Sequence, residues 1–163
     1  MQGRPFDPTE PKWLYRGLKR VHELATNAVF NEYGIGNLGQ PTLLFMLEGE
    51  ERHGRFPTQR EIARDLNLSP TTITVSLKSL EKHGCINKLP DDEDMRKNRI
   101  SLTEKGREIT KKCAEASDKV DETMYLGFSD EEIALISSFY IRMTENLRTL
   151  TGDNRSQKED STC

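Results

Sequence analysis

Two helix starts stand eleven residues apart near the middle of this 163-residue chain, and they restrict its fold more than any other feature. Thr58-Gln59-Arg60-Glu61 is a capping box: the Thr58 hydroxyl can accept from the Glu61 amide while the Glu61 carboxylate reaches back. Ile62, Ala63 and Leu66 give the short helix that follows its buried side. Ser69-Pro70 then restarts a helix, with Ser69 as N-cap and Pro70 at the first helical position, where a missing N–H does no harm. Ile73, Leu77 and Leu80 repeat on one face, and Gly84 is a stop signal. Two short helices joined by so brief a turn predict a helix-turn-helix.

What flanks this unit extends the reading. Cys85 to Leu89 and Asn98 to Leu102 read as two strands, with Ile86 facing inward beside Ile100 or Leu102. The polar stretch between them, Pro90 to Lys97, forms the long tip of a β-hairpin. At about 3.3 Å per residue, a tip arm of four residues reaches roughly 13 Å. Upstream, a helix over 11–31 lines up Leu14, Leu18, Val21, Ala25 and Val29, and a second near 39–50 carries Leu43, Leu44 and Leu47. Downstream, Thr103 caps a helix to about Tyr125 with Ile109, Cys113, Ala116, Val120 and Met124 in line. Ser129-Asp130-Glu131-Glu132, a second capping box, opens a last helix with Ile133, Ile136, Tyr140, Met143, Leu147 and Leu150 on one stripe. The expected fold is mainly α: a winged helix-turn-helix lobe over 38–105, flanked by dimerisation helices over 11–37 and 106–150. A disordered polar tail is expected over 151–163.

Charge points to a polyanionic partner. The chain has a formal net charge of −3, yet the segment 52–107 carries 12 Lys and Arg against 8 Asp and Glu, and the flanks are acidic. The helix from Ser69 offers short polar side chains where a recognition helix meets base edges: Thr71, Thr72 and Thr74, with Val75 and Lys78 beside them. Threonine brings a hydroxyl for bases or phosphates and a methyl for thymine. Thr58 and Ser69, at the two helix starts, belong to the same expected surface. On the hairpin, Arg96 and Lys97 sit at the tip, with Lys88 and Arg99 on the arms. An arginine there gains from the negative potential of a minor groove, and Asp94 is placed to hold it or the turn. Double-stranded DNA is the expected partner.

Other classes find little support. No GxSxG, HExxH or phosphate-binding loop is present, so no enzyme activity is expected. Neither is a cofactor expected, nor a metal: His22, His53 and His83 stand about thirty residues apart, and Cys85, Cys113 and Cys163 form no CxxC pair. No apolar run reaches the length of a membrane span, and the first residues lack a signal peptide's apolar core, so a cytoplasmic protein is expected. The rival from another class is a winged-helix module that docks protein and binds no DNA.

Three stretches carry a family resemblance. Leu80-Glu81-Lys82-His83-Gly84-Cys85-Ile86, Asp94-Met95-Arg96 and Ile100-Ser101-Leu102-Thr103-Glu104-Lys105-Gly106 resemble the "LEKKGLI", "DxR" and "LTEKG" segments of the MarR family of bacterial transcription regulators. Leu38-Gly39-Gln40-Pro41 is similar to the family's "LTxxQ" segment, with Gly39 in place of Thr, and Val75 stands where the family often has a basic residue. The resemblance covers roughly 13–150. It implies an obligate homodimer with interleaved first and last helices, Arg96 in the minor groove, and a repressor on a pseudo-palindromic operator. It also implies a small-molecule effector, with Trp13, Arg16, His22 and Phe45 as candidate contacts. Family redox sensors use a cysteine in the first helix region, and this chain has none there.

The dimer follows from physics as well. Apolar residues make up only 34% of the chain, leaving little to cover the stripes that include Leu14, Leu18, Val21, Ile136, Tyr140, Met143 and Leu147. Burying one Leu or Ile contributes about 1.5–3 kcal/mol, so roughly six such positions outweigh much of the ordering cost of association.

Overall fold

The computed structural model describes residues 7–36, 38, 41–91 and 98–151. It divides into two compact units, Met1–Asp121 and Glu122–Cys163. In chain order the elements are α1 (Pro11–Glu32), α2 (Pro41–Arg52), α3 (Gln59–Asp65), α4 (Pro70–Lys82), β1 (Ile86–Pro90), β2 (Asn98–Leu102), α5 (Glu104–Met124) and α6 (Asp130–Thr151). Among the described residues, no helix is long and apolar enough to cross a membrane.

The expected caps form. Thr58 accepts from the Glu61 amide and donates its own N–H to the Glu61 carboxylate at 2.7 Å, closing the box that starts α3. Ser69 accepts from the Thr72 amide at 3.1 Å and starts α4, with Pro70 behind it. Both helices close the same way. The amide of Leu68 reaches the carbonyl of Ala63 and that of Asn67 reaches Arg64; Cys85 to Leu80 and Gly84 to Glu81 repeat the pattern. This closure needs a left-handed residue just past the helix. Gly84 takes it at φ 70° at no steric cost, while in the turn between α3 and α4 Asn67 does so at φ 50°.

Within the first unit the core is centred on the helix-turn-helix and also takes in Phe30, Ile35, Leu38, Cys113 and Ala116. Leu43, Leu44 and Leu47 of α2 are fully buried with Ile62 of α3 and Ile73, Leu77 and Leu80 of α4. The hairpin closes over them. β1 and β2 pair antiparallel with Ile86 opposite Leu102, and Ile86, Ile100 and Leu102 are all buried. Thr103 caps α5, accepting from the Gly106 amide at 2.9 Å while its hydroxyl donates to the Gly84 carbonyl at 2.7 Å. A Cβ on Gly106 would lie 2.0 Å from the Cys85 carbonyl oxygen, so only glycine lets α5 start this close to the end of α4.

The sequence held no sign of one feature. The loop before α3 adds itself to the hairpin: the Ile100 amide donates to the Pro57 carbonyl at 3.0 Å, and Thr58 bridges to Arg99. The base of the wing is thereby fixed to the start of the helix-turn-helix. In the second unit, Ser129 and Glu132 form the expected box at the start of α6, and none of the described side chains of α6 is buried.

Candidate nucleic-acid interface

A helix whose inner face is sealed presents the opposite face by geometry. Thr71, Val75, Lys78 and Lys82 recur at spacings of four, three and four, so they form one row along α4. That row points away from Ile73, Leu77 and Leu80. All four residues are exposed, Val75 by 64%, and the row contains no carboxylate. Among the described residues, Thr71 and Lys78 make no hydrogen bond or ion pair.

The remaining hydroxyls of the expected surface are already occupied. Thr74 donates to the Pro70 carbonyl at 2.8 Å and accepts from the Gln59 side chain at 2.6 Å, so it has no proton left for a base. Ser69 and Thr72 bond each other at 2.8 Å, and Thr58 serves its own capping box. Each of these four thus has a partner within the helix-turn-helix. Gln59, absent from the sequence expectation, is the residue that ties α3 to α4 at this point.

The wing shows a similar shift of roles. Lys88, expected to face DNA from a wing arm, instead pairs with Glu81 of α4 at 2.6 Å and is largely covered. Arg99 binds the carboxylate of buried Asp91, donates to the Phe56 carbonyl at 3.1 Å and lies 3.5 Å from Glu61. It is a clamp between wing, loop and α3. The Thr58 amide, then its hydroxyl, hold the Glu61 carboxyl below the ordinary carboxylate range. Asp94, Arg96 and Lys97 lie outside the described residues.

Around Arg99 opens a cleft of about 820 Å³, lined by Phe56, Glu61, Arg64, Asp65, Leu89 and Asp91 among others. None of the expected effector contacts lines it. Trp13 and Arg16 instead stack on α1, the guanidinium 4.8 Å from the ring centre, and Phe45 packs against the core from α2. His22 faces Asp121 at 3.8 Å. The thiols of Cys85 and Cys113 are fully buried, and burial pushes Cys113 up to about 11. Neither is set up to react. Among the described residues no cluster of His, Cys, Asp and Glu is arranged to hold a metal.

The expected dimerisation residues are largely uncovered. Leu14, Leu18 and Val21 of α1 are about half exposed, as are Tyr140, Met143 and Leu147 of α6, while Ile136 is half-buried.

Comparison with known proteins agrees with this geometry. Residues 39–97 match the MarR family model. The transcriptional regulator ZitR of Lactococcus lactis is 36% identical over 94 residues, 56% of this chain and 65% of that protein. The uncharacterized HTH-type transcriptional regulator YybA of Bacillus subtilis is 29% identical over 89 residues, 55% of this chain and 59% of that protein. The match therefore spans less than two thirds of either relative. The Staphylococcus aureus MepR–DNA complex superposes with a TM-score of 0.69 at 24% identity, over 87% of this chain and 99% of that one.

Proposed function

Because residues 39–97 match the MarR family model, we propose that the chain is a sequence-specific regulator of transcription that binds duplex DNA as a homodimer. One observation carries this reading: α4 is buried on one side and offers an exposed row without carboxylates, Thr71, Val75, Lys78 and Lys82, on the other. A polyanion can approach that row without meeting a like charge, and a major groove is wide enough to admit an α-helix. Arg96 enters the neighbouring minor groove from the wing.

Two-fold pairing follows from the apolar residues left exposed on α1 and α6, which water would otherwise meet. It sets two recognition helices about one helical turn of DNA apart, roughly 34 Å, and calls for a pseudo-palindromic operator. The protein acts as a cytoplasmic repressor, relieved by a small molecule that Trp13, Arg16, His22 and Phe45 help to bind.

Duplexes selected from random DNA test the reading. Log affinity should fall linearly with log salt concentration, and Arg96→Ala should weaken binding and reduce that slope by about one per subunit. Absence of binding to any duplex at low salt would assign the winged helix to protein docking instead.

A further inference from the structure

We propose, building on the DNA-binding role above, that Val75 determines specificity by packing against the C5-methyl group of a thymine in the major groove. The site comes from elimination among the groups on α4. A base edge can be read by hydrogen bonds or by apolar contact. Around the first turn of α4 most hydrogen-bonding side chains already have partners within the protein: Thr74 has Pro70 and Gln59, Thr58 has Glu61, and Ser69 and Thr72 bond each other, which leaves Thr71 as the hydroxyl without one among the described residues. Val75 stands one turn in from the start of the helix, in the middle of the outward row, with Thr71 before it and Lys78 after it.

Its chemistry fits one partner. Thymine is the one standard base that presents an apolar group in the major groove. A β-branched side chain on a helix is held in essentially one rotamer, so Val75 meets that methyl with little freedom to lose. Valine also has a lower helix propensity than Ala, Leu or Lys and is 64% exposed, so neither helix formation nor core packing accounts for its place here. The neighbours divide the remaining work: the Thr71 hydroxyl has no partner among the described residues, and Lys78 reaches toward phosphate.

Replacing thymine by deoxyuridine removes that methyl and nothing else. A duplex selected by the wild-type dimer is substituted one thymine at a time, and affinity is read by fluorescence anisotropy at fixed salt. One position in each half-site should weaken wild-type binding about fourfold, equivalent to about 0.8 kcal/mol for one buried methyl-sized group, and the two together about 15-fold. Val75→Ala, at an exposed position, should keep the wild-type melting temperature and lose the thymine-over-uridine preference at that same position. A scan without any sensitive position, with salt-dependent binding retained, overturns the role of Val75 and leaves the DNA-binding role standing. A preference that survives undiminished in Val75→Ala assigns the methyl to another residue and also overturns it. Failure to bind any duplex at low salt removes both.

Discussion

The helix-turn-helix with its wing and the two long helices α1 and α6 solve the problem of burial in opposite ways. From α2 to β2, every element contributes side chains that are almost wholly removed from water, and Leu44, Ile62, Leu77 and Ile100 are typical. In α1 one residue of 22, Phe30, is buried, and among the described side chains of α6 none is, although each helix carries a row of large apolar side chains. The first region completes its core within one chain. In α1 and in α6 a row of apolar side chains stays exposed, and in the proposed dimer a second copy of the chain covers these rows. The contrast teaches that the proposed reading and pairing draw on differently packed elements: α4 is sealed against its own unit along one face, while the apolar rows of α1 and α6 stay exposed.

Substitutions separate the two regions. The largest effect is expected from Leu18→Lys in α1, which occurs twice in a two-fold dimer. It should weaken dimerisation by about 3–6 kcal/mol across both copies, read by sedimentation equilibrium, with the fold of each chain retained by circular dichroism. Leu77→Ala in α4 should act the other way round. It removes a fully buried side chain and should destabilise the lobe by about 2–5 kcal/mol in urea unfolding. If Leu18→Lys unfolded the chain as readily, α1 would belong to the core of a single subunit and the contrast would fail.

Two smaller effects concern how the lobe is held together. Asp91→Asn leaves Arg99 without its buried carboxylate partner. Because Arg99 is itself partly exposed, the loss should be about 1–2 kcal/mol, below the 3–5 kcal/mol typical of a fully buried pair. Hydrogen exchange should quicken at Ile100, whose amide is fixed to Pro57 beside it. Thr58→Ala removes the capping hydroxyl and should cost about 1 kcal/mol at neutral pH. Its pH dependence has a definite sign. Glu61 is held below its unfolded value, 4.5, so its contribution is full above that value and is lost as pH falls through the lower folded one. The deficit of Thr58→Ala should therefore be largest above pH 4.5 and shrink in more acid solution. A deficit that grew with acidity would contradict the cap.

Local signals made much of this lobe readable before its structure. The Thr58 and Ser69 caps, Pro70 at the start of α4, Gly84 at its end, and the inward alternation of Ile86, Ile100 and Leu102 all depend on residues a few positions apart. The apolar rows of α1 and α6 were equally plain, because a 3.6-residue period does not depend on what covers it. Hidden from the sequence were the ties between distant residues. Arg99 meets the Phe56 carbonyl 43 positions away, and Gln59 meets Thr74 15 positions away. Such contacts leave no periodicity, and they give partners within the protein to residues whose type alone suggests a DNA contact. A threonine on a recognition helix suggests base contact until its hydroxyl is found bonded twice within the protein. A lysine on a wing arm suggests phosphate until Glu81 is found 2.6 Å away. Val75 went the opposite way, from an apparent departure within a polar row to its exposed centre.

Side-chain footprinting with hydroxyl radicals compares the two regions in a single experiment, on the full chain with and without a selected duplex. Leu18, Met143 and Leu147 should react weakly even without DNA, because a second subunit shields them, and adding the duplex should change them little. Val75 should react freely in the absence of DNA and become protected when the duplex is present. High reactivity at Met143 in the free protein, together with a Val75 indifferent to DNA, would contradict both the pairing of the long helices and the reading face of α4.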